Sequence, residues 1–128
     1  MAAIKVLIVD DVSKVRQDLR TVLTLVGNAD KAHPIEIVGE AADGLNAIHQ
    51  VEYLQPDVIL MDLEMPSLDG YEATQQIKVR FPACRVIALT VHDYEEARLK
   101  ALQARMEDFI VKGASIETLV KAIIGIKN

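Results

Sequence analysis

The nine residues VILMDLEMP, numbers 58 to 66, bring four consecutive apolar side chains directly to an aspartate, Asp62. The segment VLIVDD, numbers 6 to 11, repeats this pattern and ends in two aspartates. Continuously apolar runs of this length are typical of parallel strands that are covered on both faces. Because a carboxylate is costly to remove from water, an aspartate directly after each run indicates that the strands end at a functional edge of a sheet.

Short apolar runs alternate along the chain with segments that have helical periodicity. The segments between the runs repeat apolar residues at three- and four-residue spacing, as amphipathic helices do. This alternation predicts one α/β domain over residues 1–128, a doubly wound five-stranded parallel sheet with right-handed crossovers and five helices. The predicted strands cover residues 4–9, 35–38, 58–61, 86–89 and 109–111.

Three local signals predict where helices and loops begin. Asp93 with Glu96 three residues later has the form of a capping box, which predicts the start of the fourth helix. Ser115 directly before an apolar periodic segment predicts the N-cap of the fifth helix. Residues 27–34, which begin with glycine and end with proline, predict a surface loop.

The composition limits the classes of function. The 128 residues are 51% hydrophobic and carry a net charge of −5, which argues against binding of a nucleic-acid backbone by this domain. A single cysteine, Cys84, excludes an internal disulfide; it lies beside an apolar run and is expected in the core. No apolar stretch reaches the roughly 18 to 20 residues of a membrane span. We therefore expect a cytoplasmic domain that binds neither membrane nor nucleic acid.

Polar side chains follow four of the five predicted strands. In an open parallel sheet, ligands bind beyond the carboxyl ends of the strands, where the strand order reverses. Each side chain alone is more often a turn residue, a cap or a solvated stem, but the shared edge predicts that they meet in one shallow pocket. They are Asp10 and Asp11 after the first strand, Asp62 after the third, Thr90 after the fourth and Lys112 after the fifth.

The chemistry of this set favours a phosphoryl group and a metal ion. Three close carboxylates repel one another, so at least one of them should take up a proton unless a cation lies between them. Oxygen ligands together with a phosphate partner suit Mg²⁺. Flanked by this ion and the ammonium of Lys112, Asp62 can act as a nucleophile toward phosphorus. The hydroxyl of Thr90 would donate to one of the transferring oxygens.

In these motifs the chain resembles the receiver domains of two-component response regulators, over essentially its whole length. The resemblance implies the flavodoxin-like (CheY-like) fold with strand order 2-1-3-4-5. It also implies a phosphorylated switch that slowly loses its own phosphoryl group, not a turnover enzyme. The matching motifs are IVDD at 8–11, MDLEMPSLDG at 61–70, ALT at 88–90 and FIVK at 109–112.

The resemblance assigns the phosphoacceptor and the metal ligands. It implies that Asp62 takes a phosphoryl group from a phosphohistidine of a sensor histidine kinase or of a phosphotransfer protein. Asp11 and Asp62, with the backbone carbonyl of Glu64, would hold Mg²⁺. Asp10 would support the ion directly or through water.

The resemblance also assigns the switch residues. Thr90 and Lys112 would hold the phosphoryl group, and Phe109 matches the aromatic residue whose inward turn follows Thr90. A core ring at the end of the sheet explains Phe109 equally well. Glu64 and His92, two residues after the acceptor and the threonine, occupy positions that influence hydrolysis of the acyl phosphate in this family; for His92, an ordinary exposed loop residue is at least as good an interpretation.

Two segments resemble NarL-type receivers, which usually precede a DNA-binding helix-turn-helix domain: EIVGEAADGLNAI at 36–48 and VKGASIETLVKAI at 111–123. The chain is therefore expected to be either a stand-alone receiver or the N-terminal domain of a longer regulator, and we favour the second. The output domain would lie outside this chain and act in transcription. A homodimer that forms on phosphorylation is compatible with this resemblance.

The sequence departs from the receiver pattern at two places. Gly113 follows Lys112 where many receivers have a proline in a cis peptide, and we therefore expect a trans bond. Arg105 and Met106 stand where many receivers have Gly-Ala. Arginine lacks the easy left-handed conformation of glycine, so we expect unusual packing of the fourth helix against the fifth strand.

Three alternatives to a phosphorylated receiver fit parts of the sequence less well. A Mg²⁺-dependent phosphatase with an aspartate nucleophile would use Glu64 as its acid, but the chain is too short for the usual cap domain. A receiver fold that acts independently of phosphorylation usually lacks one of the five residues, and all five are present. A nucleotide-binding module is disfavoured because no glycine-rich loop follows the first strand.

Overall fold

Strands and helices alternate strictly in the computed structural model of the protein, which describes residues 2–125. The strands are parallel and lie in the order β2-β1-β3-β4-β5, which confirms the predicted fold class and strand order. The strands are β1 (Ile4–Val9), β2 (Ile35–Ala41), β3 (Val58–Asp62), β4 (Arg85–Thr90) and β5 (Asp108–Val111). The helices are α1 (Ser13–Ala29), α2 (Gly44–Leu54), α3 (Gly70–Arg80), α4 (Glu95–Gln103) and α5 (Ile116–Ile124).

The central strands are buried on both faces, which explains their continuously apolar sequences. On one face, Leu7 and Ile59 pack in a cluster with residues of α2, α3 and α4. On the other face, Val6 and Leu60 pack with residues of α1 and α5. Full burial of each such side chain stabilises the fold by about 1.5–3 kcal/mol, so an alternating strand pattern would be destabilising here.

Helix α1 continues past the glycine at which a loop was predicted. It ends at Ala29, so the connection to β2 covers only residues 30–34, and the predicted loop is wrong over its first three residues. A Cβ atom on Gly27 would lie 2.6 Å from the carbonyl oxygen of Ile35. Glycine is present at this position because the helix and β2 approach closely, and it does not end the helix.

The N-terminus of α4 is not capped as the sequence suggested. Its N-cap is Tyr94, one residue after the predicted one, and makes no side-chain cap hydrogen bond. The carboxylate of Asp93 instead accepts a hydrogen bond from Nε of Arg98 at 2.6 Å. The predicted capping box is therefore wrong, because an arginine one turn into the helix binds the carboxylate. Side-chain caps do form at Asp43, Asp69 and the predicted Ser115.

The turn after α4 has the hydrogen bonds of a Schellman motif although glycine is absent. Arg105 has a φ of 67°, in the left-handed region. Its N–H donates to the carbonyl of Leu102, and the N–H of Met106 donates to Ala101, both at 3.0 Å. The expected irregularity is therefore confined to the conformation of one exposed arginine, and Met106 is buried in the core.

A partly buried ion pair connects α3 to the residues that directly precede β4 and β5. Lys78 is 3% exposed, and its Nζ lies 2.7 and 2.8 Å from the two carboxylate oxygens of Glu107. The same ammonium donates to the carbonyl of Cys84 at 2.7 Å. Glu107 also accepts a hydrogen bond from the N–H of Val86 at 2.7 Å. These contacts satisfy the hydrogen-bonding groups at the amino end of β4.

Cys84 lies in the core beside this pair, as the sequence predicted, with 6% of its surface exposed. Burial raises the pKa of its thiol to about 11. Within residues 2–125, no helix has both the length and the hydropathy to cross a membrane.

Candidate functional site

The carboxyl ends of four strands meet at one edge of the sheet and bring the five predicted polar residues together. Asp62 is the last residue of β3, and Thr90 is the last residue of β4. Asp10 and Lys112 directly follow β1 and β5. The ammonium of Lys112 lies 2.8 Å from Oδ2 of Asp10 and 3.4 Å from Oδ1 of Asp62. Residues separated by about a hundred positions thus form one cluster of charges.

Three carboxylates in this cluster are close enough to share a cation. One oxygen from each of Asp10, Asp11 and Asp62 lies within 4.8 Å of the other two. Asp10 and Asp62 are buried, whereas Asp11 is exposed. Carboxylate oxygens are the donors that Mg²⁺ prefers, and an exposed member leaves room for the waters that this ion retains. The donor set therefore fits the expected ion.

The surroundings of Asp62 disfavour its negative charge. Burial raises the pKa of Asp62 to about 6, and the nearby charge of Asp10 adds to this effect. A hydrogen bond of 3.2 Å from the N–H of Glu64 and the charge of Lys112 act in the opposite direction. A cation beside Asp62 would restore its ionised form at lower pH.

Lys112 supplies a permanent positive charge to the cluster. Burial opposes that charge, but the hydrogen bond to Asp10 and the charge of Asp62 outweigh it and raise the pKa of Lys112. No peptide bond in residues 2–125 is cis, so the bond between Lys112 and Gly113 is trans, as expected. Gly113 has a φ of 99°, which glycine adopts without strain and other residues rarely adopt. A turn at this glycine therefore follows the lysine directly.

The hydroxyl of Thr90 is bound by a side chain that the sequence did not place there. It donates to Oε1 of Glu64 at 2.5 Å and accepts from the N–H of His92 at 3.0 Å. The second carboxylate oxygen of Glu64 lies 3.5 Å from Nε2 of His92. In the sequence, the signal for this contact is a glutamate and a histidine that each lie two residues past the end of adjacent strands. The resemblance to receivers predicts that these positions influence hydrolysis, but it does not predict that the two side chains contact each other.

Phe109 lies on β5, partly buried against the core beneath α4. The guanidinium of Arg98 lies 4.6 Å from the centre of its ring. Arg98 also binds Asp93 in the loop before α4. The side chain that covers the Phe109 ring is therefore hydrogen-bonded to this loop. This contact was not predicted, and it is consistent with both interpretations of Phe109, as a core ring and as a mobile one.

A second group of charged side chains contacts the backbone of the segment that carries the acid pair. Nη1 of Arg16 donates to the backbone carbonyl of Asp10 at 2.7 Å, and its Nε donates to Glu40 at 3.1 Å. Nε of Arg20 donates to the other carboxylate oxygen of Glu40 at 2.6 Å. The spacing of both arginines places them on the polar side of an amphipathic helix and does not reveal which groups they reach.

A model of the family described as the response regulator receiver domain matches residues 6–124 of the chain. The chain belongs to this family. The receiver is 38% identical over 117 residues to the uncharacterized transcriptional regulatory protein YhcZ of Bacillus subtilis (strain 168), an alignment that covers 91% of the chain and 52% of YhcZ. It is 39% identical over 120 residues to the response regulator protein VraR of Staphylococcus aureus (strain NCTC 8325 / PS 47), which covers 94% of the chain and 54% of VraR.

Solved receiver structures have the same fold. The signal receiver domain of the putative response regulator NarL from Mycobacterium tuberculosis superposes with a TM-score of 0.87 at 28% identity, covering 98% of this chain and 96% of that one. The response regulator domain of Thermotoga maritima CheB gives a TM-score of 0.80 at 30% identity, covering 99% and 100%. These similarities confirm a receiver domain of two-component systems and do not favour a phosphatase. The receiver spans about half the length of the curated relatives it matches.

Proposed function

We propose that this receiver is a phosphorylation-driven switch in which Asp62 is the phosphoacceptor. The observation that supports this most directly is the position of the buried Asp62 carboxylate, 3.4 Å from the ammonium of Lys112 and within a cluster of three acids. A carboxylate oxygen of Asp62 attacks the phosphorus of a phosphohistidine. The P–O bond forms, the P–N bond breaks, and the imidazole nitrogen keeps the electron pair.

The residues around Asp62 have distinct tasks in this step. Lys112 neutralises oxygens of the transferred group, and the hydroxyl of Thr90 donates to another oxygen after leaving Glu64. Mg²⁺, held by Asp11, Asp62 and the backbone carbonyl of Glu64 with support from Asp10, would supply further positive charge to the phosphoryl oxygens. The protein modifies itself once per cycle and is not a turnover enzyme.

The conformational change would begin at Thr90. A phosphoryl group on Asp62 offers the hydroxyl of Thr90 a stronger, charge-assisted acceptor. Its movement opens space for Phe109 and shifts the loop before α4, to which Arg98 connects the ring. Full switching between two such arrangements needs on the order of 5 kcal/mol of differential stabilisation.

The relatives support a proposal for the partners and the domain organisation. YhcZ and VraR are named as regulators and are about twice as long as their match to this chain. We therefore propose that residues 1–128 are the N-terminal receiver of a transcriptional regulator with a C-terminal DNA-binding domain. A sensor histidine kinase or a phosphotransfer protein would be the donor, and phosphorylation would favour a homodimer. Such a regulator would work in the cytoplasm.

Labelling by acetyl phosphate in the presence of Mg²⁺ tests the acceptor. Intact-mass spectrometry should detect one added phosphoryl group on the wild type and none on Asp62→Asn, which keeps the shape of the side chain and removes the nucleophile. Asp18→Asn is the matched control, because Asp18 is exposed and pairs with Lys14 on the surface of α1, away from the acidic cluster. Persistent labelling of Asp62→Asn at another residue would refute the assignment.

A further inference from the structure

The backbone carbonyl of Asp10 lies between β1 and α1, outside both elements, yet it has a strong hydrogen-bond donor. Nη1 of Arg16, in the first turns of α1, approaches this oxygen to 2.7 Å. A guanidinium donor at this distance makes a charge-assisted bond, which is stronger than a bond between neutral groups. The bend that carries the acid pair is therefore fixed by a side chain from the helix that follows it.

Arg16 is itself held in place by an acid on β2. Its Nε donates to Glu40 at 3.1 Å, and the side chains of Arg16 and Glu40 are only 18% and 27% exposed. Burial opposes the charge of Glu40, but hydrogen bonds from Arg20 and Arg16 outweigh it and lower the pKa of this carboxyl. The ionised Glu40 thus binds Nε of Arg16 and anchors the guanidinium. Nη1 of the same guanidinium then points at the Asp10 carbonyl.

These contacts restrict Asp10 at four points. Its N–H donates to the carbonyl of Ala41 at 3.0 Å, and its carbonyl accepts from Arg16. Its two carboxylate oxygens bind the N–H of Val12 at 2.9 Å and the ammonium of Lys112 at 2.8 Å. The peptide that joins Asp10 to Asp11 is planar, so a fixed carbonyl also fixes the direction in which Asp11 leaves it. Asp11 is the exposed acid of the cluster.

We propose that Arg16 is a positioning residue that holds the Asp10–Asp11 peptide in the orientation that the cation site requires, with Glu40 as its anchor. This inference rests on the proposed function, since it concerns the same acidic site. Arg16 binds the backbone oxygen, so it does not compete with a cation for the carboxylate oxygens. Outer-sphere contacts of this kind typically change metal affinity 10- to 100-fold when they are removed.

Direct titration of the unphosphorylated full chain with Mg²⁺ alone, by calorimetry, tests this role. We expect Arg16→Ala to raise the dissociation constant by about tenfold. Arg20→Ala is the matched control: it removes the same charge and a contact with the same Glu40, but no bond to Asp10. Its affinity should stay within about twofold of the wild type, because the bond from Arg16 to the Asp10 carbonyl remains. Loss of a positive charge by itself would strengthen, not weaken, the binding of a cation.

Two further variants test the guanidinium fork and its anchor separately. Arg16→Lys keeps the charge but lacks the planar fork that reaches Asp10 and Glu40 together, so we expect it to bind Mg²⁺ as weakly as Arg16→Ala. Glu40→Gln keeps the shape of the anchor and removes its charge, and we expect a smaller loss, about threefold, in the same direction. It also provides the test if Arg16→Ala fails to fold.

Labelling kinetics supply a second measurement. For Arg16→Ala, the half-saturating Mg²⁺ concentration for acetyl phosphate labelling should rise about tenfold, while the rate at saturating Mg²⁺ stays near that of the wild type. The inference is overturned if Arg16→Ala binds Mg²⁺ like the wild type, if Arg20→Ala loses as much affinity, or if Arg16→Lys restores it. A wild type that neither binds Mg²⁺ nor is labelled on Asp62 would instead refute the proposed function and, with it, this inference.

Discussion

Asp62 is subject to two opposing demands. A nucleophile toward phosphorus must be ionised, whereas burial and the charge of Asp10 raise the pKa of this carboxyl to about 6. The ammonium of Lys112 offsets part of the cost but not all of it. Ionised Asp62 is therefore destabilising in the free protein. A bound cation or a transferred phosphoryl group would interact with a carboxylate whose negative charge the protein neutralises only in part.

The pH dependence of stability follows from this raised pKa. Between the usual carboxyl value near 3.8 and about 6, the unfolded chain releases the Asp62 proton before the native protein does, so the free energy of unfolding falls as the pH rises. The free energy of unfolding of Asp62→Asn does not fall in this way, because asparagine does not ionise. In EDTA, its advantage in urea denaturation should be near zero at pH 3.5 and grow to on the order of 1–3 kcal/mol at pH 7. An advantage that is constant over this range would contradict the prediction.

Glu64 holds the Thr90 hydroxyl that the phosphoryl group would need. Glu64→Ala removes this competing acceptor and a negative charge, while the backbone carbonyl of residue 64 remains. Breaking one such hydrogen bond costs about 1 kcal/mol, so acetyl phosphate labelling at saturating Mg²⁺ should be about three- to tenfold faster than in the wild type. Glu36→Ala, on the exposed side of β2, controls for net charge and should leave the rate unchanged. A rate equal to or below that of the wild type would show that Glu64 is no competitor.

At the scale of the elements, the sequence predicted the type of every helix and strand because both periods are clear in its apolar residues. It failed where one residue packs against another element, adopts an uncommon backbone conformation, or binds a competing side chain nearby. Gly27 permits close packing against Ile35, so the helix continues through it. Arg105 adopts the left-handed region in an otherwise regular Schellman turn. Asp93 binds Arg98 and not the helix N-terminus.

The ion pair between Lys78 of α3 and Glu107, directly before β5, gives a prediction at this scale. Glu107→Ala leaves the buried ammonium of Lys78 with the Cys84 carbonyl alone. Because Glu107 is itself partly exposed, we expect a loss of about 2–3 kcal/mol in urea denaturation, at the lower end for buried pairs. The double variant Lys78→Met/Glu107→Ala should be more stable than Glu107→Ala, since it leaves no uncompensated charge.

The surface pair of Glu117 with Lys121, 3.3 Å apart on α5, is the matched control for that measurement. Glu117→Ala should cost less than about 0.5 kcal/mol, as exposed pairs do. A double variant less stable than Glu107→Ala would show that Lys78 stabilises the fold chiefly through the hydrogen bond of its ammonium to the Cys84 carbonyl, because methionine keeps a similar apolar stem.

At the scale of the whole molecule, parallel strand order explains why the site could be foreseen. Every carboxyl end faces the same edge, so residues that follow different strands must meet there, and Asp10, Asp62 and Lys112 do. The contact of Glu64 with Thr90 and that of Arg16 with the Asp10 carbonyl could not be foreseen. They depend on which of several reachable partners a long, flexible side chain selects, and no periodicity encodes that choice.

The single cysteine has a practical consequence for measuring this switch. A thiol reacts as its thiolate, and Cys84 is both enclosed and protonated far above neutral pH. Maleimide dyes directed to a cysteine newly introduced on exposed α4 should therefore attach there alone. Fluorescent reporters of the response to acetyl phosphate can be built on the native background, with the wild type serving as the unlabelled blank.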